Sequence, residues 1–305
     1  MPERLRLLVT GMSGFVGGHV AEAISRGVFG NNVELIRTPP LWDLRDSEAV
    51  RSWVVDSKPD AVIHLAAQSF VPRSFEVPGE TFDINLGGTL NLLQALSAAD
   101  FGGRLLYASS GDIYGRVPPN EMPVNELRIP EPRSPYAVSK WAAEQLCLQW
   151  HRSEGLDVIV ARPFNHVGPG QDRRFAVPSM AAQIMGCLEG RQDAVRVGNI
   201  DVTRDFTDVR DVVRAYASLL SRGRGGQTYV VGSGVERSLR SIFEGMCRIA
   251  GVDPPLITDP TRVRSAEQTR MCADPSRLRA DTGWEPVIPF DRTLSEILND
   301  VRKNP

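Results

Sequence analysis

A chain of 305 residues, 42% apolar and 24% charged, has material for one large domain or two ordinary ones and lacks the composition of a disordered chain. Thirty-five Lys and Arg against 37 Asp and Glu leave a net charge of −2, so no global positive field exists to hold nucleic acid, and an anionic ligand must be met locally. The longest uncharged stretch, Ile84 to Ala99, carries Asn85, Thr89, Asn91, Gln94 and Ser97 and is too short and polar to cross a bilayer.

The N-terminus, MPERLRLLVTG, enters a strand-like run at once and leaves no room for a signal peptide, so a cytosolic protein without membrane partners is expected. That first strand, LRLLVT, runs directly into Gly11-Met-Ser13-Gly14-Phe15-Val16-Gly17 and a helix-compatible segment. Gly11 allows the tight turn, Gly14 lets backbone approach a pyrophosphate, and Gly17 lets the helix pack on the strand, with phosphate at the helix N-terminus. The spacing alone also fits an ordinary strand-to-helix turn; its place after the first strand of a βαβ chain favours a dinucleotide.

The second strand, VELIR, ends at Arg37, where an NAD-selective site would hold an acid for the ribose hydroxyls. Glu34 lies inside the strand and Asp43 comes only after Pro39-Pro40, so neither excludes a 2′-phosphate, and Arg37 could pair with one. NADPH is therefore expected ahead of NADH, although Arg37 also reads as a solvated strand end. AVIHL and RLLYAS follow as strands, the latter ending at Ser109-Ser110, at the sheet edge where ligands of open α/β folds bind. SPYAVSK opens a helix that places Tyr136 and Lys140 on one face, an arrangement that is often structural but in which an ammonium can stabilise a phenolate.

DVIVAR is a further strand; beyond it Pro163, Gly168, Pro169, Gly170 and Pro178 crowd into a loop-rich passage. A βαβ-like segment returns with DVRDVVRAYASLL and QTYVVG, and the tail from Ser238 reads as helices joined by loops rich in Pro and Arg. Nearly continuous apolar strands imply a parallel sheet covered on both faces. The expected architecture is a doubly wound α/β domain over 1–164 plus about 202–231, with a smaller interleaved C-terminal domain over about 165–201 plus 232–305. Cys147, Cys187, Cys247 and Cys272 are widely spaced with no CxxC, so they read as packing thiols and no metal site is expected.

Taken in order, GMSGFVG, HLAA, the serine of SSGDIYG and YAVSK resemble the extended short-chain dehydrogenases/reductases almost end to end. The resemblance implies Tyr136 as proton donor or acceptor, Lys140 as the residue that lowers its pKa and binds nicotinamide ribose, and Ser110 as the hydroxyl that positions a carbonyl. It implies Leu65, Ala66 and Ala67 as the strand end lining the cofactor, with Asp43, Leu44 and Pro163 as further cofactor contacts. Asn85 in INLGGT matches a helix asparagine to which no catalytic role is given.

AAQSFVPRSF, RPFNHVGPG, RDFTDVRD and RVRSAEQ resemble the nucleotide-sugar branch, in particular its GDP-mannose 4,6-dehydratases and, more closely, its GDP-4-keto-6-deoxy-mannose reductases. This implies NADPH-dependent reduction of a 4-keto group to give GDP-rhamnose, in a homodimer built on helices over 81–98 and 135–152. Arg204 and Arg264 are phosphate candidates, Glu267 a ribose candidate, and Gln68 and Asn165 sugar or backbone-fixing candidates. Val177, which follows the loop where relatives touch the nucleotide, is a further substrate candidate, although it could simply fill the core; Arg204 could instead pair with Asp205 or Asp208, and His166 reads as packing. Dehydratases carry a glutamate at the position of Asp112 and some an aspartate at that of Gly111, so Asp112 is either a substrate contact or a loop cap. The rival readings are a dehydratase, a 4-epimerase and a catalytically silent dinucleotide sensor.

Overall fold

The structure is a computed structural model that describes residues 4–39, 42–262 and 268–304. The chain begins with β1 (Leu5–Thr10), α1 (Phe15–Ser25), β2 (Val33–Ile36), α2 (Ser47–Ser57) and β3 (Ala61–His64). Two short helices, α3 (Val71–Glu76) and α4 (Pro78–Phe82), pass through a π-helical turn at Asp83–Gly87 into α5 (Gly88–Ala98) and β4 (Arg104–Ala108). A 3-10 turn at Gly111–Tyr114 then precedes α6 (Pro135–Glu154) and β5 (Asp157–Pro163).

Why these strands are nearly continuous in apolar residues is visible in their packing. Leu7, Val9, Ile63, Leu106, Ile159 and Ala161 enter one core, while their neighbours Leu8, Val62, Leu105, Tyr107, Val158 and Val160 enter another on the opposite face. Side chains alternate across a strand, so a sheet covered on both faces must be apolar at every position.

The second half runs β6 (Asn165–Val167), α7 (Ala176–Leu188), β7 (Val195–Val197), β8 (Thr203–Asp208), α8 (Val209–Arg222) and β9 (Thr228–Val231). It continues with β10 (Glu236–Ser238), α9 (Leu239–Ala250), β11 (Leu256–Thr258), α10 (Ser276–Thr282) and α11 (Phe290–Lys303). The main sheet has the order β2-β1-β3-β4-β5-β9, parallel throughout. Its order reverses between β1 and β3, which opens a crevice at the C-terminal strand ends. Two small sheets, β10-β8-β6 and β11-β7, lie apart from it.

The chain's excursions follow the cores. Helix α8 returns Val212, Val213, Tyr216 and Leu219 to the first core. Helices α7, α9 and α11 enclose a separate core with Met180, Ile184, Phe243, Met246, Ile297 and Val301. Two details differ from the expected boundaries. Strand β8 pairs with β6 and β10 rather than with the main sheet, and Leu278 and Trp284, near the C-terminus, pack into the first core. The second is fixed by polar contacts of Asp211: its carbonyl accepts from the Trp284 indole at 3.0 Å and its carboxylate from the N–H groups of Val287 and Ile288.

Candidate active site

At the crevice, β1 ends in a loop whose glycines have distinct jobs. Gly11 has φ +76°, and a Cβ there would lie 2.8 Å from the Ala66 nitrogen, so the loop sits directly against the end of β3. A Cβ on Gly17 would come within 2.4 Å of the Gly11 carbonyl oxygen, so only glycine lets α1 start this close to β1. Gly14 caps α1 without a side-chain hydrogen bond, and Ser13 and Gly14 are exposed. The first N–H groups of a helix lack intrahelical partners, and with glycine at the cap no capping side chain takes them, which suits a phosphate.

The neighbouring strand ends hold this loop in place through a buried chain of hydrogen bonds. Ala66 N–H donates to the Thr10 hydroxyl at 3.1 Å, and that hydroxyl lies 2.7 Å from His64 Nδ1. On the other side, His64 Nε2 lies 2.9 Å from the Thr89 hydroxyl, which itself donates to the Asn85 carbonyl at 2.6 Å. One assignment satisfies every group: Thr10 donates to Nδ1 and Nε2–H donates to Thr89, with the imidazole neutral. Burial pushes His64 down to about 3, in agreement.

The Asn85 amide carries the chain onward, accepting from Gln68 N–H at 2.8 Å and donating to the Gln68 carbonyl and the Ser139 hydroxyl. Ser139 in turn donates to the Tyr136 carbonyl at 2.8 Å. The side chain of Gln68 is engaged with Thr81 and the Phe70 N–H, so in this structure it fixes backbone.

Helix α6 starts as its sequence dictates: the Ser134 hydroxyl caps it by accepting from Ala137 N–H at 3.1 Å, and Pro135 occupies the first turn. Tyr136 and Lys140 project from the same face and are 9% and 3% exposed. The Ser110 hydroxyl caps the 111–114 turn by accepting from Asp112 N–H at 3.1 Å. Burial raises the Tyr136 phenol well above its usual range, the Asp112 charge adds to this, and the Ser110 hydroxyl lowers it. Burial pushes Lys140 down to about 8, and its ammonium stands 4.5 Å over the Tyr107 ring.

The other expected residues are distributed as follows. Leu65, Ala66 and Ala67 are half-buried at the β3 end, Phe15 and Val16 are half-buried at the start of α1, and Pro163 is buried at the end of β5. Arg37 is exposed just past β2, and Leu44 is buried against Gly88. Asp43 is already held by a bidentate pair with Arg45, whose hydrogen bonds lower its pKa. Asn165 is exposed on β6. Arg204 donates to the Thr203 carbonyl at 2.8 Å, and its charge helps hold the Glu236 carboxyl low. Val177 is corrected: its side chain is 2% exposed and packs in the second core, leaving no surface for a ligand. Arg264 and Glu267 lie outside the described residues.

Three features escaped the sequence reading. Asp205, next to Arg204, is fully buried, and its carboxylate accepts from Ser233 N–H and hydroxyl, Gly234 N–H and Ala273 N–H. The His64 chain is carried by residues 25 to 56 positions apart. Glu144 and Arg162 form a buried pair beside the catalytic helix; the spacing Tyr136, Lys140, Glu144 was the available signal for it.

A Rossmann crevice flanked by Ser110, Tyr136 and Lys140 defines an oxidoreductase of the extended short-chain dehydrogenase/reductase class. Residues 8–297 match the family model described as GDP-mannose 4,6 dehydratase, and the chain belongs to that family. It is 48% identical to the GDP-6-deoxy-D-mannose reductase of Pseudomonas aeruginosa, over 97% of this chain and 96% of that one. It is 31% identical to the UDP-glucose 4-epimerase of Mycolicibacterium smegmatis, covering 98% and 99% of the two chains. Among solved structures, RMD from Pseudomonas aeruginosa complexed with NADPH superimposes with a TM-score of 0.93 at 46% identity, covering 99% of this chain and all of that one.

Proposed function

We propose that this protein reduces the 4-keto group of GDP-4-keto-6-deoxy-D-mannose with NADPH, giving GDP-D-rhamnose, with NADH as the alternative donor. The observation that carries the choice of reduction over dehydration is at Gly111. A Cβ there would lie 2.9 Å from the buried Phe164 ring, so a side chain at the position that holds an acid in some dehydratases would have to displace that ring. Asp112 is one methylene shorter than the dehydratase glutamate, and at roughly 100-fold in rate per ångström of misplacement that difference weighs against elimination. The 48% identity to a GDP-6-deoxy-D-mannose reductase supports the same choice.

When bound, the nicotinamide supplies hydride to the keto carbon. The protein's own residues do the rest. Tyr136 Oη gives a proton to the developing alkoxide, Ser110 Oγ donates a hydrogen bond to the same oxygen, and the Lys140 ammonium stabilises negative charge on Tyr136 and binds ribose. The cofactor's phosphates would rest on Gly11, Ser13, Gly14, Phe15, Val16 and Gly17, and Arg37 would meet a 2′-phosphate. Leu44, Leu65, Ala66, Ala67 and Pro163 would line its adenine and nicotinamide ends. Arg204 and Asn165 would face the sugar nucleotide, with Arg264 and Glu267. The division of labour follows the cores, the main sheet with its returning 276–284 segment taking cofactor and the α7-α9-α11 unit taking sugar nucleotide. A cytoplasmic homodimer is the assembly proposed.

The test is to mix pure protein with NADPH and a panel of nucleotide-bound 4-keto-6-deoxy sugars, following NADPH by absorbance and identifying the product by NMR. Stoichiometric NADPH consumption with the GDP-linked ketone, and no conversion of GDP-mannose, is expected. Sustained dehydration of GDP-mannose without net loss of NADPH would overturn the proposal in favour of a dehydratase.

A further inference from the structure

Tyr136, Lys140 and Glu144 follow one another at intervals of four on α6, so they stand in a row on one face. Glu144 is fully buried, where an unpaired carboxylate is untenable, and it meets Arg162 of β5 at two points: Nε to Oε2 at 3.1 Å and Nη2 to Oε1 at 2.5 Å. The remaining nitrogen of the same guanidinium, Nη1, donates to the Tyr114 hydroxyl at 2.7 Å and to the Glu126 carbonyl at 3.4 Å. Tyr114 closes the turn whose cap is Ser110. One rigid fork thus bridges the helix that carries Tyr136 and the turn that Ser110 caps.

Stability is a weak reason for such a pair, because apolar residues of similar volume hold helix to sheet as well or better. What a planar, five-donor fork does and an apolar contact does not is fix direction and distance at three acceptors at once. The side chain is 6% exposed, and each of its three nitrogens is already engaged by a protein acceptor.

We propose that Arg162, acting through Glu144 and Tyr114, is a positioning residue for the reduction: it sets the separation of Ser110 Oγ and Tyr136 Oη. This rests on the acid role given to Tyr136 above. Arg162→Lys keeps the charge and loses the fork, while Tyr114→Phe removes one hydroxyl and keeps the ring. Arg162→Lys is expected to lower kcat by roughly tenfold or more and Tyr114→Phe by less, with little change in KM for the keto sugar, because only the reacting geometry is disturbed. In a Ser110→Ala background both losses should vanish, since the effect travels through Ser110; a role in packing alone would give the same factor in both backgrounds.

A second readout needs no turnover. The chain has five tyrosines, so ¹³Cζ labelling gives a spectrum in which Tyr136 is assigned with Tyr136→Phe. In Arg162→Lys the Tyr136 signal should move toward its position in Ser110→Ala. If Arg162→Lys fails to fold, Tyr114→Phe carries both measurements. An unmoved Tyr136 signal, or rate losses that persist in the Ser110→Ala background, overturns the proposal. If the wild-type protein leaves NADPH unoxidised with the keto sugar, the reductase reading has failed, and the Tyr136 signal alone decides the positioning role.

Discussion

The cofactor crevice and the sugar-nucleotide side of this molecule are built on opposite plans. At the cofactor loop one decisive contact lies inside the motif itself, Gly17 against Gly11 six residues back, while Gly11 in turn meets the adjoining strand end at Ala66, far along the chain. Around Arg204, the organising group is the neighbouring Asp205, whose backbone N–H partners lie 28 to 68 residues away in two separate segments. A glycine loop bears its geometry in its own sequence, whereas a buried carboxylate is only as informative as the partners the fold brings to it. The first site can therefore be damaged locally and the second through distant backbone.

Several measurements would break or sharpen that contrast. Tyr136→Phe, at the junction of the two halves, should lower turnover by roughly 100-fold or more while leaving NADPH binding intact, because it deletes a proton donor and keeps the ring. Near-normal turnover would remove Tyr136 from the chemistry. Next in size, Gly17→Ala forces a Cβ to within 2.4 Å of a backbone oxygen. Overpacking of about 1–3 kcal/mol corresponds to roughly 5- to 150-fold weaker NADPH binding, measured by fluorescence titration. Affinity equal to wild type would show that α1 can shift without consequence for the loop.

Asp205→Asn is the counterpart on the other side. It places an NH₂ where five donors converge and should lower unfolding free energy by about 1–3 kcal/mol in denaturant titration. It should raise KM for the sugar nucleotide and leave NADPH affinity unchanged; an equal loss in both affinities would mean the halves are not separable.

The smallest effect concerns pH. Lys140 is held down to about 8 by burial, against an ordinary value of 10.5, so its ammonium is half lost near pH 8 and fades further above it. If that charge supports Tyr136, kcat/KM should decline as pH rises beyond about 8, and Lys140→Met should lack this limb. The corresponding stability runs the other way: between pH 8 and 10.5 the unfolded chain holds a proton that the folded protein has released, so folding becomes more favourable with rising pH. A kcat/KM flat to pH 10 would separate Lys140's charge from catalysis.

The amino-acid sequence by itself determined the parts whose signals are local. Alternating apolar runs specify a doubly wound sheet because both faces of each strand are covered, GMSGFVG specifies a close backbone approach, and Ser134-Pro135 starts the helix that aligns Tyr136 with Lys140. Tertiary structure alone decided that His64 joins Thr10 to Thr89, that Asp205 gathers Ser233, Gly234 and Ala273, and that Val177 packs rather than faces a ligand. It also decided that Trp284 returns to the first core. The physical reason is that a hydrogen bond or an apolar contact has no address in the sequence. A turn or a helical repeat constrains residues a few positions apart, whereas a buried polar group must be satisfied by whichever segment the completed fold sets beside it.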